Sequence, residues 1–446
     1  MSTHASQLQT HEILPGVTLT VLPSDRFKVG SFSWAFTLPL CPEESYTRSL
    51  LLSVLRRGCE SYPTLSHISR RLDELYATPY HVVDTVKGNC QYVGFSAELL
   101  ENRYLLDDTD LCGEILSLMR DMLFCPLTDQ NGLLCERYVE AEKKNAIDHL
   151  RSLQNHPSSY AMARFSDIFY ENAPFRARLD GAEERIAAIT AEQLTKTWRD
   201  MLCHAPVRCF YIGGMPPADV TERVRAMMLA AFEGIDRVVQ SIEQRCRIPQ
   251  AWDEVRRAEE TGRVGQSHLI LGWRSGVTVQ SPDYYAMMLC HEILGLSPIS
   301  RLFVHVREAH SLCYSCSSVY RIERGDIIVT CGISANNRAL AEHAILEQIE
   351  VLQRGEFSEA EWQAAKKSLI GSCRQMSDSP RALYRYYELR ALLGMQQTLE
   401  QSIACFDALT REQVIAAAQK LRLELVYFRR GTDGSDGDVE EDASDD

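Results

Sequence analysis

An internal duplication constrains this chain more than any other feature of its sequence. Residues 69–83, SRRLDELYATPYHVV, and residues 300–315, SRLFVHVREAHSLCYS, both run from a Ser-Arg step through a short amphipathic stretch into a strand-like run. The elements around them repeat in order. In the first half, strand-like runs at 17–22 and 29–38 precede helix-like stretches at 45–57 and 68–75. Alternating strand-like runs follow at 81–86 and 90–97, then long helical patterns over 111–123 and 134–150. In the second half, 268–273 reads as a strand, 283–294 as a helix and 300–306 as a shorter helix. Strands at 311–320 and 326–333 and helices at 339–354 and 359–376 complete the repeat. Strand, helix, hairpin strands and helices, given twice, predict an α+β fold. Each of two homologous domains is expected to hold a mostly antiparallel sheet with helices packed on one face.

A chain of 446 residues is long enough for two cores of ordinary size. The expected division is a flexible N-terminus at 1–12, a first domain at 13–235, a linker at 236–262, a second domain at 263–430 and an acidic tail at 431–446. Pro249 and a run of charges interrupt the pattern within the linker. The formal net charge is -14, and the tail alone carries Asp433, Asp436, Asp438, Glu440, Glu441, Asp442, Asp445 and Asp446. The body is therefore only mildly acidic, which argues against a nucleic-acid groove, and the tail reads as disordered and solubilising. No run approaches the roughly 18–20 apolar residues of a membrane span. Residues 1–14 lack a basic segment followed by an apolar core, so no secretory signal is expected and the cytoplasm is the predicted location. Fifteen cysteines are scattered through apolar runs, among them Cys90, Cys112, Cys125, Cys209, Cys290 and Cys331. They read as small buried hydrophobes kept reduced, and an odd count would leave one over from complete pairing.

Several short words narrow the reading. They are RRGCESYPT (56–64), RRLDELYA (70–77), FCPL (124–127), VEAEKKNAI (139–147), LGLSPISRLFVHVREAHSLCYSCSS (294–318) and ISANN (333–337). In this order and spacing the chain resembles the pitrilysin/insulinase metallopeptidases. Within them it is most similar to the bacterial YmfF-type subgroup, which is associated with 5-aminopentanol modification of EF-P. The likeness covers nearly the whole chain apart from the extreme N-terminus and the tail. It implies two LuxS/MPP-like metallohydrolase-type domains.

Active members of that family carry H-x-x-E-H on a helix of the first half. Residues i and i+4 share a helix face, so both histidines reach one Zn²⁺ while the glutamate activates water. With Gly58 matched to the glycine that follows this helix, the family positions fall on Ser49, Leu52 and Ser53. A serine is a poor zinc ligand and a leucine cannot act as a base. With Glu142 matched to the first glutamate of the next segment, the distal ligand position falls on His149. One donor does not make a catalytic zinc site, which needs about three protein ligands. No metal is therefore expected in this chain.

Other candidates read as structural. His291 and Glu292, in CHEILG, project about 100° apart on a helix and are expected at a surface-facing helix end. Cys313 and Cys316 form a lone C-x-x-C; in a strand, i and i+3 point to opposite faces, so these thiols should diverge. His305 and His310 straddle a helix end and read as structural or surface residues. Ser300 and Arg301 are expected to start and pack a helix. Gly272 and Gly295 are expected at a close backbone approach and a helix end.

The resemblance implies one retained functional element. The family's second half contributes an arginine and a tyrosine seven residues apart, which match Arg307 and Tyr314. A guanidinium and a phenol can donate to a peptide carbonyl and to the oxyanion that forms on it. From residue types alone, Arg307 could equally cap a helix and Tyr314 pack on a sheet. The chain also departs from the family here, with Ser311, Leu312 and Cys313 in place of the glycine-containing step that often precedes the tyrosine.

Together these readings predict the non-zinc subunit of a heterodimeric peptidase. Zinc would be held by a pitrilysin/insulinase-family partner, and the peptide substrate would pair with an edge strand at 29–38 or at the partner's counterpart. The alternative is a catalytically inactive scaffold or binding protein associated with EF-P modification.

Overall fold

The computed structural model describes residues 8–176, 178–297, 299–308 and 313–432. Most of the acidic tail, together with His310, Ser311 and Leu312, lies outside these. The chain forms two compact units, and each draws on both halves of the sequence.

The first unit takes residues up to 152, 173–247 and 370–404. Its strands are β1 (Gln9–Leu14), β2 (Val17–Pro23), β3 (Val29–Pro39), β4 (Tyr80–Lys87), β5 (Cys90–Leu100) and β6 (Val207–Gly213), in the order β1-β2-β6-β3-β5-β4. All neighbours are antiparallel except β2 and β6. One face buries Val17, Leu19, Phe32, Trp34, Val93 and Phe95 against helices Ser45–Leu55, Leu111–Phe124, Ala191–His204 and Pro217–Ala231. The other face receives helix Pro380–Leu392, from the far end of the sequence. Its Tyr384 meets Phe210 edge-on with centroids 5.2 Å apart, its Leu392 packs with Ala35, Cys90 and Tyr92, and its Glu388 pairs with Lys87.

The second unit takes residues 153–172, 248–369 and those from 405 onward. Its strands are β7 (Arg256–Gly262), β8 (Ser267–Arg274), β9 (Cys313–Arg321), β10 (Asp326–Ile333) and β11 (Arg422–Gly431), in the order β7-β11-β8-β10-β9. Only β7 and β11 are parallel. Helix Tyr284–His291 packs against β9 and helix Arg338–Arg354 against β10. Helix Pro157–Phe169, from the first half of the sequence, lies over β8 and β11. Phe165 and Phe169 come so near Gly272 that a Cβ there would sit 2.6 Å from the Phe165 ring and 2.8 Å from that of Phe169. Gly272 is thus at the close approach expected of it.

The two sheets share a plan. Without β1, the order β2-β6-β3-β5-β4 matches β7-β11-β8-β10-β9 strand for strand, including the single parallel pair. Even the helix before the closing strand starts alike. Thr190 with Gln193 and Thr410 with Gln413 each close a reciprocal capping box.

Three expectations need correction. Helices cover both faces of each sheet, because the second face is covered by a helix from the other half of the sequence. Residues 29–38 are not an edge: β3 is paired on both sides, by β5 and β6. The edges of that sheet are β1 and β4. The last part of the span read as a linker, Arg256–Gly262, is strand β7.

The packing at Gly272 makes a testable case. Gly272→Val forces two methyl groups and a Cβ into rings already in contact with the backbone. Overpacking of this kind is expected to cost about 1–3 kcal/mol. Thermal unfolding followed by tryptophan fluorescence should show a lowered midpoint, and an unchanged midpoint would contradict the packing described.

Candidate functional site

The residues that the resemblance sets at the zinc positions, Ser49, Leu52 and Ser53, stand on helix Ser45–Leu55, whose Leu50, Leu51, Leu52, Val54 and Leu55 are buried. Leu52 therefore belongs to the core. The two serines point elsewhere. Ser49 Oγ donates to the Asp84 carboxylate on edge strand β4, which also accepts from Gln91 Nε2 at 2.9 Å. Ser53 Oγ donates back to the Ser49 carbonyl at 3.2 Å, the local bond that serine makes readily within a helix.

Next to Ser53 lies a small cavity of about 220 Å³ lined by Ser53, Arg56, Arg57, Leu65, Glu142 and Asn145. Glu142 stands on helix Glu136–Ser152 and forms an ion pair with Arg57. Asn145 Nδ2 adds a donor to the same carboxylate oxygen at 3.3 Å. The side chains of Arg57 and Glu142 are 29% and 14% exposed, so the pair is partly withdrawn from water. His149, two turns further along the helix, is exposed and does not line this cavity.

These residues do not fit a zinc ion. Two hydroxyls are engaged, the one carboxylate is already neutralised by a guanidinium, and a second guanidinium borders the cavity. A divalent cation placed there would face two fixed positive charges. Among the described residues, no group of three or more His, Cys, Asp or Glu side chains is arranged to hold a metal.

The second-half candidates sit at one end of the second unit. Arg307 lies in the last turn of a wide, π-type helix, Leu302–Glu308, that packs against β9. It is exposed, with its guanidinium carbon 4.7 Å from the centre of the Phe303 ring. Tyr314 is the second residue of β9, an edge strand. Cys313 faces Ile333 and Ser315 faces Gly332, so Tyr314 is the extra residue of a β-bulge. Arg301 is structural, as expected: it is buried, with Nε on Gln348 at 3.1 Å and Nη1 on Glu361 at 2.6 Å.

The bulge overturns the expectation that Cys313 and Cys316 diverge. Strict alternation would send residues three apart to opposite faces, but one extra residue restores them to the same face. Cys313, Cys316 and Cys331 thus share one face of the β9–β10 pair, near enough to shift one another's ionisation. A C-x-x-C spacing alone cannot reveal this, because the bulge lies in the pairing with β10.

His291 and Glu292 also depart from expectation. They do not face solvent but are 4% and 3% exposed, where helix Tyr284–His291 runs into a second π-type turn, Glu292–Leu296. The wider turn changes which residues face inward. Burial pushes the His291 imidazole down to about 4 and the Glu292 carboxyl up.

Comparisons with known proteins agree with this architecture. Residues 188–369 match the family model described as the peptidase M16 inactive domain. The chain is 26% identical to the probable inactive metalloprotease YmfF of Bacillus subtilis, across 94% of this chain and 97% of that protein. Its fold is similar to a conserved protein from Enterococcus faecalis, with a TM-score of 0.85 and 24% identity over 96% of this chain and 99% of that one. It is also similar to a peptidase M16 inactive domain from Pseudomonas fluorescens, with a TM-score of 0.77 and 17% identity over 95% and 98% of the two chains.

Two measurements follow. Arg57→Ala leaves the Glu142 carboxylate partly buried without its cation, which is expected to cost about 1–3 kcal/mol. Arg57→Ala combined with Glu142→Gln should recover most of that loss in a denaturation cycle, whereas additive losses would mean the pair is not coupled. Between about pH 6.5, where an unfolded histidine titrates, and the lowered value of His291, the unfolded chain binds the extra proton. Stability should therefore fall as pH drops through this window. His291→Gln should flatten the fall between pH 7 and pH 5, and an unaltered slope would assign the acid sensitivity elsewhere.

Proposed function

The chain is a homologue of the pitrilysin/insulinase (M16) metallopeptidases that lacks their zinc motif, and from that premise we propose that it is the non-zinc subunit of a two-chain peptidase. In this reading a partner chain bearing H-x-x-E-H holds the zinc. Arg307 and Tyr314 donate to the substrate carbonyl and to the oxyanion formed from it. The observation that carries the reading is an asymmetry between the units. The first has an Arg57–Glu142 pair and two engaged serines in the region of the metal site. The second keeps an exposed arginine at a helix end beside an edge strand that carries the tyrosine. Arg307 is exposed, and its side chain rests over Phe303.

The edge strand beside the former metal helix is β4, tied to it through Ser49 and Asp84. β4 thus replaces 29–38 as the place where an extended peptide would add to this chain's first sheet. No helix among the described residues is long and apolar enough to cross a membrane, and we place the assembly in the cytoplasm.

The test begins with purification of this chain from its host together with whatever binds it, followed by zinc analysis and cleavage assays on a quenched fluorescent peptide library. Expected is a stoichiometric H-x-x-E-H chain, zinc in proportion to it, and cleavage only when both chains are present. Arg307→Ala and Tyr314→Phe should each lower kcat/KM of the complex by roughly 100- to 1000-fold, the range for loss of one oxyanion donor, with assembly intact. Cleavage by this chain alone without zinc would overturn the proposal. Unchanged activity in both variants would leave the chain a scaffold, the role compatible with an association with EF-P modification.

A further inference from the structure

The three thiols gathered by the bulge take no part in the proposed peptidase site. Their placement follows from register. Cys316 stands directly opposite Cys331, and Cys313 opposite Ile333. Between these two pairs β9 advances three residues while β10 advances two. The Cα atoms of Cys313 and Cys316 are therefore separated by about two strand steps, or roughly 6.6 Å. That lies just within the upper limit of about 6.8 Å for a disulfide. Without the bulge the same spacing would span about 10 Å and the thiols would point apart.

Access differs among the three. Cys331 is 2% exposed on a strand paired on both sides. Cys313 and Cys316 are half-buried on the edge strand, so a small solute reaches them first.

We propose that Cys313, Cys316 and Cys331 form a peroxide-reactive thiol site, in which Cys313 is the nucleophile, Cys316 the resolving thiol and Cys331 a buried S–H donor. In the first step the Cys313 thiolate attacks one oxygen of a hydroperoxide. The O–O bond breaks, Cys313 becomes a sulfenic acid, and hydroxide (or alkoxide) leaves. In the second step the Cys316 sulfur attacks the sulfenic sulfur. The S–S bond forms, the S–O bond breaks, and the hydroxyl leaves as water with the Cys316 proton. Two electrons pass from the thiols to the peroxide, and no further reactant is needed.

The surroundings favour the thiolate form of Cys313. The neighbouring Cys316 and Cys331 thiols, and then the positive charge of Arg307, lower its pKa despite partial burial. Proximity to Cys313, together with burial, in turn raises those of Cys316 and Cys331. A low-pKa, accessible thiol with a resolving thiol in reach is the arrangement that peroxide-sensitive cysteines require. The bond would close over Tyr314, the one residue the bulge adds, and so fix the local backbone on which it stands.

The full-length chain is reduced, desalted, treated with hydrogen peroxide, blocked with an alkylating reagent and digested with trypsin. Cys313 and Cys316 both lie in peptide 308–321, and Cys331 lies in peptide 325–338. Expected is an unalkylated peptide 308–321 lighter by two hydrogens, restored by reductant. Before oxidation, limiting iodoacetamide at neutral pH should label Cys313 ahead of the other fourteen cysteines. In Cys316→Ala, Cys313 should instead stop at a sulfenic acid that dimedone traps. In Cys331→Ala the disulfide should still form, but more slowly. A cross-link between peptides 308–321 and 325–338 would overturn the assignment of Cys316 as resolving thiol. Labelling of Cys313 no faster than the rest, or a peptide 308–321 unchanged by excess peroxide, would overturn the site. Both of these readouts use the unmutated chain, so a variant that fails to fold does not affect them.

Discussion

The architecture depends on the need to bury both faces of two sheets whose central strands are apolar on either side. Strand β6 is buried at six of its seven positions and β8 at seven of its eight. Strands that read as continuous apolar runs cannot leave one face to water. The helices that follow in sequence cover one face of each sheet. The other is covered by Pro157–Phe169 over β8 and β11, and by Pro380–Leu392 over β3 and β6. Each covering helix comes from the opposite half of the sequence. Neither sheet is therefore complete without a segment of the other half, and a cut between the halves would leave two exposed apolar surfaces. Under these helices the buried Arg274 pairs with Glu424, and the buried Asp326 carboxylate accepts from the Tyr170 hydroxyl at 2.7 Å. Such pairing is what makes buried ionic groups tolerable.

The same fold accommodates loss of the metal because none of its core rests on one. Some small metal-binding domains obtain their folding energy from the ion. Here helix Ser45–Leu55 is fixed by five buried apolar side chains, and Leu52, which the resemblance matches to the family's catalytic glutamate, is one of them. The carboxylate that borders the cavity beside Ser53, Glu142, is neutralised by Arg57, a cation supplied by the chain itself. The likeness to a probable inactive metalloprotease, at 26% identity, extends over nearly the whole of both chains.

Much of the fold was legible in the sequence, and the parts that were not share a physical reason. Elements with strong periodicity are legible to within a residue or two, such as β2, β3, β10 and helix Leu111–Phe124. The duplication of the hairpin and its preceding helices was legible from paired words. Its closing strands, β6 and β11, were not singled out, although TAEQL and TREQV at the preceding helix starts repeat the same capping box. What could not be read is set by pairing between distant segments. No local pattern says that Phe165 and Phe169 pack on Gly272, or that β3 is an interior strand. At the candidate site, counting back from Gly58 sets Ser49, Leu52 and Ser53 on one helix, because a helix keeps its spacing. The distal position could not be located in the same way. His149 was reached by counting along a separate helix, and the side chain that lines the cavity beside Ser53 is Glu142.

The bulge at Tyr314 joins these threads. An edge strand in register presents an unbroken ladder of backbone donors and acceptors, which invites pairing with another chain. In the first unit the equivalent edge, β4, runs in register with β5 from Tyr80 to Lys87. Its end is held by the Lys87–Glu388 pair and its middle by Asp84 on Ser49. In the second unit, β9 departs from that regularity at one point, between Cys313 and Ser315. One inserted residue does two things that a regular strand cannot. It turns the following backbone relative to the helix ending at Glu308, and it returns Cys313 to the face occupied by Cys316 and Cys331. Restoring regular pairing by deleting one residue would abolish both together. The placement of Tyr314 and the meeting of the thiols are thus consequences of a single register shift, within a sheet otherwise built on the same plan as its counterpart.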